Sequence, residues 1–132
     1  MQLRRYLERC YDILATRRDA SIEVLVIDEV YPGASAAIKG RIRFWDDSLL
    51  EFIELLEVRG NLLRKVEYAY HYQASDNSLI FRYDDSPHHP EISTHPHHKH
   101  VRSGAKEMIE SASAPQLTAV LAEIENYLYP EN

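Results

Sequence analysis

The sequence predicts an α+β fold: a five-stranded antiparallel meander with N- and C-terminal helices packed on one face and a long histidine-rich loop. Three observations predict it. Apolar residues recur at helical spacing at both ends of the chain, they alternate with polar ones through the middle, and turn signals of a few residues separate the alternating runs. Links that short join antiparallel neighbours and cannot make parallel crossovers.

The first helix is read over residues 2–17, where Leu3, Tyr6, Leu7, Cys10 and Leu14 form one stripe and Arg4, Arg5, Glu8 and Arg9 a solvated face. From Ser21 the period changes. The first strand, Ser21 to Val30, is rich in Val and Ile and ends at the turn Tyr31-Pro32-Gly33. In the second, Ile38, Ile42 and Phe44 alternate with Lys39, Arg41 and Arg43. Asp46-Asp47-Ser48 turns the chain into Leu49–Val58, and Gly60-Asn61 into residues 62–73, where Val66, Tyr68, Tyr70 and Tyr72 oppose Lys65, Glu67, Ala69 and His71. After Asp76-Asn77, Leu79, Phe81 and Tyr83 alternate with Ile80, Arg82 and Asp84 as the fifth strand. The last helix is expected to begin at Ser113-Ala-Pro-Gln116, which combines a capping side chain, an early proline and a Gln three residues on. Leu117, Val120, Leu121, Ile124 and Leu128 continue it.

A chain of 132 residues suits a single domain, here the whole of residues 1–132, and 45% apolar residues can fill one core. The formal net charge of −6 argues against a generic basic coat for duplex nucleic acid, though not against a local site. One cysteine excludes an internal disulfide and a four-cysteine zinc site. No apolar run approaches the ~20 residues of a membrane helix, and residues 1–10 lack a signal-peptide core, so a soluble cytoplasmic chain is expected.

Between Tyr83 and Ser103 the periodicity stops. This stretch holds three of the six prolines and six of the seven histidines, while His71 lies on a neighbouring strand. A connection of that length is functional or disordered far more often than not. It can be idle and packed, or it can be a metal site, His88, His97 and His98 being its ligands with Asp84 and Glu91 nearby, although the spacing matches no zinc motif. It can also do chemistry without a metal, since imidazole offers acid and base forms near neutrality. Arg82, Lys99 and Arg102 supply cations for a phosphate. Tyr70, His71 and Tyr72, with Arg41, could line a groove for unpaired bases, though tyrosines at alternate strand positions more often belong to a core. Glu51 and Glu54 are carboxylates on the adjacent strand.

The run from Phe81 to Glu91 followed by Thr94-His-Pro-His-His-Lys-His100 resembles the TumE-like family of toxin–antitoxin proteins. Gly40-Arg-Ile-Arg-Phe44, Leu50-Glu-Phe-Ile-Glu54 and Tyr70-His-Tyr-Gln73 resemble it as well, and only Asp85 and His95 depart from its pattern. The resemblance implies a prokaryotic toxin encoded beside a helix-turn-helix antitoxin. By analogy with other such toxins, RNA cleavage is the expected act. No cofactor is favoured, and a divalent transition metal is the alternative. On the metal-free reading, one of His97, His98 and His100 takes the ribose 2′-OH proton, and His88 or His89 protonates the leaving oxygen. Lys99 and Arg82 hold the phosphate, and Asp84, Glu91 or Glu54 orients a ring. A toxin that poisons a protein or nucleic-acid target by binding, without turnover, remains the non-enzymatic reading. No membrane partner is expected, and a homodimer through an exposed edge strand is compatible with an open sheet.

Overall fold

Strand pairing continues further along the chain than hydrophobic alternation does. The computed structural model describes residues 2–131 and contains α1 (Gln2–Ala15), β1 (Ala20–Tyr31), β2 (Ser35–Phe44), β3 (Leu49–Arg59), β4 (Leu62–Gln73), β5 (Leu79–Asp84), β6 (His98–Ser103), β7 (Lys106–Ser111) and α2 (Leu117–Leu128). All strands join in chain order in one antiparallel sheet, so the meander has seven strands rather than five. The two additional strands carry little apolar alternation. His98-Lys-His-Val-Arg-Ser103 is polar on both faces apart from Val101, and it pairs with Lys106–Ser111 across a turn in which Gly104 has φ +64°. Glycine adopts that left-handed backbone at no steric cost.

The histidine-rich stretch is correspondingly shorter and more ordered than a structureless loop. Residues 85–97 form successive turns, with backbone N–H groups of His88, Ile92, His95 and His97 donating to the carbonyls of Ser86, His89, Ile92 and Thr94. His98 and His100 already belong to β6.

One face of the sheet is covered. Ile38, Ile42 and Phe44, Leu50, Phe52 and Leu56, Tyr68, Tyr70 and Tyr72, and Phe81 all point into it, as period-two alternation requires. Leu3, Leu7, Cys10 and Leu14 of α1 and Leu117, Val120, Leu121, Ile124 and Leu128 of α2 close over them. The start of α2 differs from the expectation: its N-cap is Gln116, no side chain caps it, and Ser113 lies outside it. A missing cap costs ~1 kcal/mol, whereas each fully buried Leu, Val or Ile contributes ~1.5–3 kcal/mol, so burial decides where this helix sits. Gly40 lets Phe52 lie flat across β2, because an added Cβ would fall 2.8 Å from Phe52 Cζ. Among the described residues, no helix is long and apolar enough to cross a membrane.

Candidate functional site on the open sheet face

The face opposite the helices collects the chemistry. Register pairs Arg41 with Glu51, Glu51 with His71, His71 with Arg82 and Arg82 with His100, so these five side chains form one row across five strands. The next row on this face is Lys39, Ile53, Ala69, Asp84 and His98. Strand parity alone puts them there: each is two residues, or one register step, from the next.

At the β5–β6 end of these rows Asp84 is the hub. It is buried, and its Oδ1 accepts from the Ser86 amide at 3.0 Å while its Oδ2 accepts from Arg82 Nε at 2.9 Å. Burial would raise this carboxyl, but the Ser86 amide, the Arg82 guanidinium and His98 outweigh it and hold it below the ordinary aspartate range. His98, also buried, directs Nδ1 to the Pro96 carbonyl at 2.9 Å. Its Nε2 lies 3.0 Å from Asp84 Oδ1 and 3.0 Å from His100 Nε2. His100 in turn directs Nδ1 to Glu107 of β7 at 2.7 Å. The His89 ring stands edge-on to both, with centroids 4.9 Å from His98 and 5.7 Å from His100, and its Nδ1 is 3.2 Å from Glu91.

Beside this cluster the sheet forms an open groove of about 520 Å³. Val24, Ile53 and Ala69 supply apolar lining, and Lys39, Arg41, Glu51, His71 and Arg82 the polar groups. Arg41 is ion-paired to Glu23 at 2.8 Å and to Glu51 at 3.3 Å, and both carboxylates are substantially exposed. Burial, then the neighbouring Arg82 charge, pushes the His71 imidazole below its ordinary range. Its Nδ1 lies 3.4 Å from an Arg82 nitrogen.

The structure divides the residues proposed from sequence. It brings His71, Arg82, Asp84, His89, His98, His100 and, at the groove, Arg41 to the open face, with Glu91 at the edge. It does not bring the others there. His97 has opposite parity to His98 and stacks on Tyr68, its Nδ1 2.9 Å from the Tyr68 hydroxyl. Lys99 points under the sheet, where it pairs with Glu123 of α2 at 2.6 Å and lies over the rings of Phe81 and Tyr83. Tyr70 and Tyr72 are core side chains with no exposed surface, so they cannot line a groove in this fold. Glu54 is buried among Tyr6, Tyr70 and Lys65. His88 is exposed on the loop, and the close imidazole group is His89, His98 and His100 rather than His88, His97 and His98. Glu107 and the Pro96 carbonyl, which fix two rings, had no sequence signal while β7 went unseen. The Ser103-Gly104 turn was the one available clue.

The family model described as Toxin TumE matches residues 12–128, most of the chain. No curated protein and no solved structure matches it.

Proposed function

Because the chain belongs to the TumE toxin family, we propose that it is the toxin of a toxin–antitoxin pair whose toxic act is cleavage of RNA on the open sheet face. Family membership carries the first half of that statement and implies an antitoxin partner, for which a helix-turn-helix protein is proposed. The single observation supporting the second half is the approach of His98 Nε2 and His100 Nε2 to 3.0 Å at a buried carboxylate, next to Arg82 and the groove.

The chemistry asked of such a centre is transfer of the phosphoryl group from the 5′-oxygen to the ribose 2′-oxygen. The P–O2′ bond forms, the P–O5′ bond breaks, the 2′-OH proton goes to a base and a proton is delivered to the leaving 5′-oxygen. His100 suits the base. With Nδ1–H donated to Glu107, its Nε2 keeps the lone pair. His98, hydrogen-bonded on both ring nitrogens, suits the donor. Arg82 would offer its remaining N–H groups to a non-bridging oxygen, and Arg41 and Lys39 would hold the neighbouring backbone.

The acidic chain accommodates an anionic substrate because the carboxylates on Arg41 are exposed. Exchanging such a pair for a phosphate costs little. With about three phosphate contacts, log affinity should fall with log salt at a slope of roughly −2.

The test is a cleavage assay on total cellular RNA with wild type, His100→Ala and His97→Ala. Removing the base should slow cleavage by ~10²-fold or more, leave His97→Ala active, and products should end in 2′,3′-cyclic phosphate. Protein that arrests growth but leaves RNA intact would defeat the reading and favour a toxin that acts by binding alone.

A further inference from the structure

We infer that His89, His98 and His100, with Asp84, form a binding site for one divalent transition-metal ion of the zinc type. The inference rests on reading this cluster as the reacting centre and changes how it works. A bound ion would take the ring lone pairs, so activation of the ribose 2′-OH would pass from His100 to the ion.

Distances support it first. Ligands held ~2.0–2.2 Å from zinc stand ~3.3 Å apart at tetrahedral angles and ~2.9 Å apart at right angles. The edges here are 3.0 Å between His98 Nε2 and His100 Nε2, 3.0 Å between His98 Nε2 and Asp84 Oδ1, and 3.5 Å between His100 Nε2 and Asp84 Oδ2. One ligand atom from each of the three histidines falls within 4.8 Å of the others. His89 is the outlying one, on the loop that leads into β6.

Ring orientation is the second support. Each of the three histidines has Nδ1 against an oxygen acceptor: the Pro96 carbonyl for His98, Glu107 for His100 and Glu91 for His89. An N–H held outward in this way fixes the tautomer whose other nitrogen binds a metal. Two Nε2 lone pairs brought together at 3.0 Å repel unless a proton or a cation lies between them. A third support is the donor set. Imidazoles with one carboxylate suit zinc, cobalt or nickel, whereas magnesium and calcium require oxygen ligands.

The experiment uses the full chain stripped with EDTA and then freed of chelator. Zinc(II) is titrated by calorimetry, and cobalt(II) by its visible absorption. One equivalent per chain is expected, with His98→Ala weakening binding by ~100-fold and His89→Ala or His100→Ala by ~10–100-fold. His88→Ala, His95→Ala and His97→Ala should leave affinity within about twofold, which separates a built site from a histidine-rich tract. Circular dichroism checks each fold, and because His98 is buried, the His89→Ala and His100→Ala variants decide if His98→Ala does not fold. Absence of stoichiometric binding, or equal weakening by His88→Ala and His89→Ala, overturns the inference. RNA cleavage by the stripped protein together with no metal binding would overturn this inference alone. Metal binding in a protein that never cleaves RNA would support it and overturn the RNA reading.

Discussion

Glu54 offers a decisive separation of core from site. Its carboxylate has no exposed surface, yet it accepts the hydroxyls of Tyr6 from α1 and Tyr70 from β4 and lies 3.6 Å from Lys65 Nζ. Lys65 in turn donates to the Pro115 carbonyl at 2.8 Å, just before α2. The network therefore ties both helices to the sheet. Glu54→Ala would leave an ammonium that is only 11% exposed without a countercharge, and two phenols without an acceptor. Removing one partner of a buried pair costs ~3–5 kcal/mol. Glu54→Gln keeps the volume and can satisfy both phenols, one through its carbonyl and one through its amide, so the cost falls to the stranded charge, ~2 kcal/mol. Glu54→Gln/Lys65→Met removes that charge as well. Its loss should be smaller than the sum of the single losses by ~1–3 kcal/mol. Urea unfolding of the four proteins measures the cycle. Growth arrest should survive in the double variant, since Glu54 lies on the opposite side of the sheet from the imidazole cluster. A double variant that folds with a near-native midpoint but has lost toxicity would refute the assignment of Glu54 to structure.

Three further outcomes follow from the same geometry. Gly40→Ala should cost ~1–3 kcal/mol by pushing the Phe52 ring, which is stacked on Tyr70, off β2; Phe52→Leu in that background should restore part of it, and strictly additive urea midpoints would refute the contact. Alkaline pH should destabilise the fold from within. Burial, then the Glu54 charge, pushes the Cys10 thiol up to about 11 from its ordinary value of 9.0, and burial pushes Tyr72 up to about 12 from 10.0. A raised pKa means that the native state holds the proton longer, so this stability is complete below pH ~9 and is lost as pH rises to ~11, about 3 kcal/mol for the thiol alone. A urea midpoint that stays flat from pH 8 to 11 would contradict it. Finally, His97→Ala should lower stability by ~1–2 kcal/mol through the lost Tyr68 contact while leaving growth arrest intact, and His100→Ala should do the reverse; loss of toxicity in a folded His97→Ala protein would sink that division.

The strands from Ser35 to Asp84 and both helices were legible because their apolar residues keep one period and one layer of cover suffices to bury them, whereas β1 showed itself by its Val- and Ile-rich run and the turn after it, most of its apolar side chains staying exposed. β6 and β7 were not. They lie at the far edge of the sheet, where the only partly buried apolar residues are Val101 and Ile109, and Met108 is exposed. Their pairing is held by backbone bonds, which leave no hydrophobic period to read. The cap expected at Ser113 failed for a related reason: the apolar stripe of α2 begins at Leu117, and its burial outweighs a local hydrogen bond.

Site and core also exchanged members for a single physical reason. Histidine, lysine, tyrosine and glutamate carry no hydrophobic mark that says which face they take, so composition gathered His97 to Lys99 into one cluster. Strand parity divides them. Once His98 turns toward Asp84, Lys99 must turn toward α2, where Glu123 neutralises it, and His100 must return to Asp84 and Glu107. The same rule on β4 sends His71 to the groove and Tyr70 and Tyr72 to the core. A run of six residues that alternates between a packed face and the face carrying the imidazole cluster is therefore constrained along its length. A one-residue slip of β6 against β5 would put Lys99 on Asp84 and two histidines beneath α2, dismantling the imidazole cluster and the Lys99–Glu123 pair together. The imidazole cluster and helix docking are thereby coupled through register. A partner that shifted β6 could silence the cluster without touching it.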